Sequence, residues 1–382
     1  MKARRGLELD LRGVFGRDGA TASADPTLPA EIFVTVPGGR LPAGAAGAAP
    51  RPEANTLRGV GPSPPIPSTM RGPAATRTTR KPGSRTARNE EVLPRGAIID
   101  KYRIDRLLGR GGFAAVYRAT HLLLDTRVAL KLLRPQVVAR HPYLAKLLYE
   151  EARFAARIDH PNVVKVYDVT HTSSITYVVM EYIDGRSLAE TIRRTGPLAP
   201  ARVVEIGAAV IAGLKVALAA GLIHRDIKPA NILLGRRGET KIVDLGLVLR
   251  TNAGNHERTD AEAPSGRRAS TIGTYGYMAP EQAVDPDRVD FRADIYSLGV
   301  TLYEATVGEP PFPLADPPRC LELHARAPVP APDERSPGVP RALSALLLRM
   351  LAKNPDDRFA SYDALSEAFA RLAATLAPPA GP

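Results

Sequence analysis

The sequence predicts an α+β fold in two lobes, a small one rich in β-strands and a larger helical one, behind a disordered N-terminal tail. Three observations lead there. Residues 1–95 are dominated by Pro, Ala, Gly, Ser, Thr and Arg, a composition that buries too little apolar surface to offset the entropy of ordering. From Ile98 to about residue 182, runs rich in β-branched residues alternate with turn signals. Beyond that point apolar residues recur at three- and four-residue steps, the period of helices that bury one face. This order is that of a sheet lobe joined to a helical lobe.

The expected boundaries are a tail over 1–95, a folded unit over 96–376 that divides near 182/183, and a short C-terminal tail over 377–382. Within the first tail one β-like alternation stands out, Ile32-Phe33-Val34-Thr35-Val36 before Pro37, and it is a candidate docking element. The 36 prolines and 32 glycines exceed what a uniformly compact chain of 382 residues carries, so part of the chain is linker. Charge follows the same division. Residues 1–95 hold 15 Lys and Arg against 8 Asp and Glu, which is +7 of the formal total of +12. The folded part is only mildly basic, and the one dense cluster, residues 77–88, suits a solvated linker better than a specific nucleic-acid site.

A single cysteine, Cys320, excludes an internal disulfide and a cysteine metal cluster, and its Pro-rich setting suggests a surface bystander. Glu8 and Asp10 interrupt the N-terminus where a signal peptide needs an apolar stretch. The most apolar segment, residues 207–223, contains Lys215 and is short for a bilayer. The expected address is therefore the cytoplasm, with no membrane span.

In the small lobe, Leu108-Gly109-Arg110-Gly111-Gly112-Phe113-Ala114-Ala115-Val116 forms a Gly-rich turn between strand-like runs. Glycines at a hairpin tip let backbone N–H groups approach phosphate oxygens closely. The short strand Val128-Ala129-Leu130-Lys131 follows, and a lysine in an apolar strand is costly unless paired. The next helical segment supplies a partner: Leu144, Leu147, Leu148, Glu151, Phe154, Ala155 and Ile158 share one stripe, whereas Glu150 faces away. An acid on such a stripe either leaks to solvent or pairs with a cation, and Lys131 favours pairing. Tyr177-Val178-Val179-Met180-Glu181-Tyr182-Ile183-Asp184-Gly185 is a strand running into a turn.

The large lobe opens on an amphipathic run over 201–219, followed by His224-Arg225-Asp226-Ile227-Lys228-Pro229-Ala230-Asn231 and, thirteen positions on, Asp244-Leu245-Gly246. Phosphoryl transfer needs a carboxylate to orient the attacking hydroxyl, a cation near the moving phosphate, and an amide oxygen and a second carboxylate on magnesium. These two stretches supply all four. Further on come Gly273-Thr274-Tyr275-Gly276-Tyr277-Met278-Ala279-Pro280-Glu281, Asp294 in Ala-Asp-Ile-Tyr-Ser-Leu-Gly, and Asn354-Pro355-Asp356-Asp357-Arg358-Phe359.

Taken in order, these motifs resemble the eukaryotic-like serine/threonine protein kinases, most closely bacterial ones, over about the last three quarters of the chain. The resemblance implies a bilobal kinase fold and transfer of the ATP γ-phosphate to Ser and Thr hydroxyls of proteins. It implies Asp226, Lys228, Lys131 and Glu151 as catalytic residues, and Asn231 and Asp244 as ligands of Mg2+, with Mn2+ as a substitute. Around ATP it places Leu108, Gly109, Gly111, Gly112, Val116, Ala129, Lys131, Met180, Glu181, Ile183 and Leu233. Glu281 and Arg358 would pair, and Asp294 would brace the catalytic loop. Arg225 beside Asp226 implies switching by a phosphate on the activation segment: Ser270 and Thr271 lead as sites, Thr251, Thr259 and Ser265 follow, and Thr274 is a structural contact. Self-association would allow one copy to phosphorylate another. Two departures stand out, Ala114 for a glycine and Leu245 for a phenylalanine. A nucleotide-binding pseudokinase scaffold is the alternative from the non-enzyme class. A small-molecule phosphotransferase would lack the platform at 273–281.

Overall fold

The computed structural model describes Val34–Thr35 and residues 92–171, 175–244, 275–285 and 288–376. The tail expected over 1–95 therefore lies almost wholly outside the described residues. The small lobe is one antiparallel seven-stranded sheet. Its strands are β1 (Val34–Thr35), β2 (Ile98–Ile99), β3 (Tyr102–Arg110), β4 (Ala114–His121), β5 (Thr126–Leu133), β6 (Val166–His171) and β7 (Thr176–Glu181), in the order β1-β2-β3-β4-β5-β7-β6. Two helices, α1 (Pro135–Arg140) and α2 (Tyr143–Ala155), connect β5 to β6.

Alternation along β5 decides what each face of this sheet does. Val128, Leu130 and Leu132 pack with Ile99, Ile104, Tyr117, Tyr177 and Val179 into one apolar layer. Ala129 and Leu133 face the other way, against Ala145, Leu148 and Ala152 of α2. Because side chains alternate with period two, Lys131 falls on the α2 side. On α2 the buried stripe includes Ala145 and Ala152 beside Leu148 and Ala155, and the helix ends before Ile158, which is buried in the turn beyond it. Sequence periodicity underweights alanines because they carry little hydrophobicity, yet their small size is what lets α2 approach the sheet.

The large lobe carries a small sheet, β8 (Gly185–Ser187), β9 (Ile232–Gly235) and β10 (Thr240–Ile242), ordered β10-β9-β8. Its helices are α3 (Leu188–Thr195), α4 (Pro200–Ala219), α5 (Pro280–Val284), α6 (Arg292–Val307), α7 (Pro317–Arg326), α8 (Pro332–Arg335), α9 (Arg341–Met350) and α10 (Tyr362–Leu376). Helix α4 starts on Pro200, which has no N–H to leave unsatisfied at the first turn. Its buried residues include Val203, Ile206, Gly207, Val210, Ile211 and Leu214, leaving Ala201, Glu205, Ala208 and Lys215 as a narrow solvent stripe. That stripe is the polar side of the amphipathic run. The rest of α4 packs with Ile295, Leu298 and Leu302 of α6 and with Leu365, Phe369 and Leu372 of α10. Cys320 is buried in α7, so the surface position that its Pro-rich flanks suggested is wrong: Pro317 and Pro318 start a helix there instead of breaking one.

Gly207 shows how tight this contact is. A Cβ there would strike the Phe369 ring and lie 2.9 Å from Leu302 Cδ1. Gly207→Ala is expected to destabilise the protein by about 1–3 kcal/mol through overpacking, read as a lower urea midpoint. Ala208→Ser, one residue on and exposed, should leave that midpoint within about 0.5 kcal/mol of the parent.

Candidate active site

Lys131 stands where the two lobes meet. Its Nζ lies 3.2 Å from Glu151 Oε1 on α2 and 3.0 Å from Asp244 Oδ1 beyond β10. Burial alone would strip the proton from this lysine, but the two carboxylates more than reverse that and raise its affinity for it. Burial also disfavours charge on Asp244, yet Lys131, His224 and Lys228 together hold its carboxyl below the usual range. For Glu151 burial wins and the carboxyl is pushed up. Burial thus prevails at Glu151, whereas at Asp244 the attraction of Lys131 and its neighbours outweighs it. Asp244 holds φ at 58°, a left-handed backbone that aims its carboxylate into the cleft.

The loop over 224–231 is knotted around one carboxylate. Lys228 Nζ donates to both oxygens of Asp226, at 3.0 and 2.7 Å. Asn231 Nδ2 donates to the Asp226 carbonyl at 2.9 Å and to its Oδ2 at 3.1 Å. A Pro-led 3-10 turn over Pro229–Asn231 sets this spacing, since residues three apart eclipse there. Beneath the knot lies Asp294, buried in the first turn of α6. Its oxygens accept the His224 N–H at 2.9 Å, the Arg225 N–H at 2.6 Å and the Tyr362 hydroxyl at 3.2 Å. Burial raises the Asp294 carboxyl, and the neighbouring His224 side chain and these donors work against that rise. Arg225 has φ 61°, a conformation that costs about 1–3 kcal/mol and persists only where neighbours enforce it. Its guanidinium donates to the Val289 carbonyl at 3.0 Å.

Above this loop, Val116, Ala129, Met180, Ile183 and Leu233 share one apolar cluster with Val166 and Val243. Its members come from β4, β5, β6, β7, β9 and the segments that follow β7 and β10. Leu108 is not part of the cluster and is 39% exposed on β3. Glu181, expected around the nucleotide, pairs its side chain with Lys241 at 2.8 Å, which pins the strand end to β10. The glycines of the turn carry a separate signal. Gly109 and Gly112 are not among the positive-φ glycines, and a Cβ on either would touch nothing within 4 Å. Neither conformation nor internal packing requires glycine there, so the empty space fits a group laid against the backbone. Asn231 and Asp244 offer hard oxygen donors, and among the described residues there is no cluster of three or more acidic, His or Cys side chains. That donor set suits magnesium, which is held by few protein groups and completes its shell with phosphate and water.

Behind the cleft, Arg358 is fully buried and forms a fork on Glu281, at 2.6 and 2.9 Å. It also donates to the carbonyls of Ala352, Arg292 and Lys353. Tyr277 donates to Glu304 at 2.6 Å, and burial pushes the Glu304 carboxyl up although this bond counters it. Sequence reasoning missed Glu304 and Tyr362. Their partners are 27 and 68 residues away, and no local pattern marks such pairs. Ser270, Thr271 and Thr274 fall outside the described residues, as do Leu245, Thr251, Thr259 and Ser265.

Residues 102–370 match the model of the protein kinase domain family. The chain is 39% identical over 267 residues to the serine/threonine-protein kinase PknB of Mycolicibacterium smegmatis, covering 69% of this chain and 41% of that protein. It is 35% identical over 266 residues to the serine/threonine-protein kinase PknH of Mycobacterium bovis, covering 70% and 43%. This chain thus spans about two fifths of the length of these curated relatives. Among solved structures, the kinase domain of PknI from Mycobacterium tuberculosis (C20A mutant) superposes with a TM-score of 0.56 at 27% identity, over 74% of this chain and 99% of that one.

The Glu281–Arg358 fork yields a stability test. Removing one partner of a buried pair leaves an uncompensated charge, at a cost of about 3–5 kcal/mol. Glu281→Ala should lower the urea midpoint accordingly, with the three carbonyls that Arg358 also touches holding the loss toward the lower figure. Glu281→Gln, which keeps one acceptor oxygen, should recover part of it.

Proposed function

The chain belongs to the protein kinase domain family, and from that premise we propose that it is a serine/threonine protein kinase that transfers the γ-phosphate of ATP to protein hydroxyls. The observation that carries this reading is the knot of Asp226, Lys228 and Asn231. It holds a carboxylate, a cation and an amide in one fixed array, and that array is what a hydroxyl nucleophile and a moving phosphoryl group require. The pseudokinase alternative gains no support, since no position of that chemistry is replaced.

In this mechanism Asp226 orients the substrate hydroxyl and accepts its proton as the oxygen attacks phosphorus. The bond between the γ-phosphorus and the bridging oxygen breaks, and ADP leaves. Lys228 neutralises charge that grows on the transferring group, close to the carboxylate that took the proton. Lys131 binds the phosphates nearer the nucleoside, held in place by Glu151. Asn231 and Asp244 would hold magnesium, with manganese as a substitute; bound there, the metal offsets negative charge shared by the β- and γ-phosphates. The adenine ring suits the slot of Val116, Ala129, Met180, Ile183 and Leu233, and the backbones of Gly109, Gly111 and Gly112 suit the phosphates. Leu108 is assigned to the rim of that slot.

The partners are proteins that present Ser or Thr. We assign the activity to the cytoplasm, where ATP and magnesium are plentiful; among the described residues no helix is long and apolar enough to cross a membrane. The folded unit proposed for this work is 96–376. Arg225 flanks the catalytic carboxylate, and we assign it the docking of a phosphate placed on residues 247–274 by a second copy of the enzyme. Specificity follows from groups that are missing. Ala230 precedes Asn231, and the Ser187 hydroxyl accepts the Glu190 N–H as the cap of α3, so neither offers a carboxylate to an upstream arginine.

Three measurements test the proposal. Asp226→Asn and Lys131→Met should each lower turnover on a generic protein substrate by about 10²–10⁴-fold while circular dichroism shows a folded chain; full activity in either would refute the mechanism. Mass spectrometry of active enzyme should find phosphate on Ser270 or Thr271, and an unmodified segment over 247–274 would sink the switch. A peptide array should show no dominant preference for arginine three residues upstream of the target.

A further inference from the structure

The Gly-rich turn is fastened by a residue outside it, Arg134, at the end of β5. The Arg134 N–H donates to the Phe113 carbonyl at 3.1 Å, and its guanidinium donates to the Gly112 carbonyl. Across the tip itself, the Gly111 N–H donates to the Ala114 carbonyl at 2.8 Å. Phe113 and Val138 of α1 both pack against the apolar cluster that holds Ala129 and Met180. The tip is therefore anchored through its backbone and through one aromatic ring.

One donor at this tip is left over. A hydrogen-bonded pair in an antiparallel ladder exchanges two bonds, yet Phe113 and Arg134, next to the pair Ala114 and Leu133, exchange only one. The Arg134 carbonyl instead accepts the Val137 and Val138 N–H groups at 2.9 and 3.1 Å, at the start of α1. The Phe113 N–H thus has no acceptor among the described residues. It belongs to the peptide between Gly112 and Phe113, and in a planar trans peptide N–H and C=O point in opposite directions. The guanidinium that takes the Gly112 carbonyl thereby fixes the aim of this N–H, away from Arg134.

We propose that Arg134 is a positioning residue for the nucleotide: by holding the Gly112 carbonyl it aims the Phe113 N–H at the β- and γ-phosphates of ATP. The inference rests on the kinase reading and deepens it. A Cβ on Gly112 would meet nothing within 4 Å, so the tip has room for a group laid against it. Lys131, the cation assigned to the phosphates, lies three residues before Arg134 on β5, with Val116 of β4 opposite it. A free N–H is best matched by a charged oxygen. A donor fixed before the ligand arrives needs no ordering afterwards, and that saving appears as affinity.

Calorimetric titration of the full chain with magnesium compares the non-hydrolysable ATP analogue AMP-PNP with adenosine, which has the base but no phosphate. Arg134→Met should weaken AMP-PNP about tenfold, the worth of one hydrogen bond to a charged oxygen, and leave adenosine within about twofold. Arg134→Lys, which can still donate to the Gly112 carbonyl, should recover part of the loss. Phe113→Pro removes the N–H itself and should weaken AMP-PNP by a similar factor, whereas Phe113→Leu keeps the donor and should not. Combining Arg134→Met with Phe113→Pro should cost no more than either alone, because both act through one contact. Additive losses would mean that the guanidinium touches phosphate directly, and equal losses for both ligands, or none for AMP-PNP, would mean a merely structural contact; any of these overturns the proposal. A parent chain that binds neither ligand would instead remove the kinase reading, and this inference with it.

Discussion

A buried carboxylate accepting two consecutive backbone N–H groups is the constraint on which the rest of this molecule depends. Asp294 holds His224 and Arg225 in a backbone that Arg225 would not adopt alone. The left-handed residue reverses the chain direction, so that Asp226 and Lys228 emerge toward the cleft while Ile227 turns back into the core. A charge in that position would be prohibitive without its donors. Its own cost is met by hydrogen bonds to charged oxygens, each stronger than a neutral one. Tyr362 and Phe291 bring α10 and the start of α6 to the same spot, so the scaffold of the large lobe and the geometry of the loop are a single construction.

Lys131 plays the corresponding part between the lobes. One ammonium shared by two carboxylates couples α2, the sheet and the loop after β10, and no member of the trio is stable in its charged state without the others. Helix α2 has no side-chain cap at its N-terminus, so packing of small residues and this ion pair hold it. Burial pushes the Glu151 carboxyl up, whereas Lys131 and its neighbours hold that of Asp244 below the usual range.

Much of this was legible in the sequence because it is local or periodic. Alternation in Val128-Ala129-Leu130-Lys131 and the stripe through Leu148 and Glu151 place the lysine and the acid on facing surfaces, and the compact run from His224 to Asn231 keeps its groups within one turn of backbone. Ala145 and Ala152 escaped because hydrophobic patterns weight large side chains, although close approach needs small ones. The buried position of Cys320 escaped because two prolines look like a loop when they are in fact the first turn of a helix. Tyr277 with Glu304, and Tyr362 with Asp294, escaped for a different reason. Such pairs are products of tertiary closure, and nothing along the chain encodes the meeting of two residues tens of positions apart.

The partition of the core also governs how the molecule can be made. The buried residues of the small lobe's apolar layers lie between 97 and 180, with Ile183, Leu233 and Val243 added at one edge, so most of that lobe can close while the ribosome is still producing the helical half. The large lobe cannot. Its central helix α4 is sealed by Leu365, Phe369 and Leu372 of α10, which are translated about 150 residues after α4 has emerged. Until then the part of α4 that Leu365, Phe369 and Leu372 cover stays bare, even after α6 has been made. The nascent chain is thus a finished half joined to an exposed one, and its hazard is capture by other chains during synthesis, a period when binding by a chaperone matters more than the final stability of the fold.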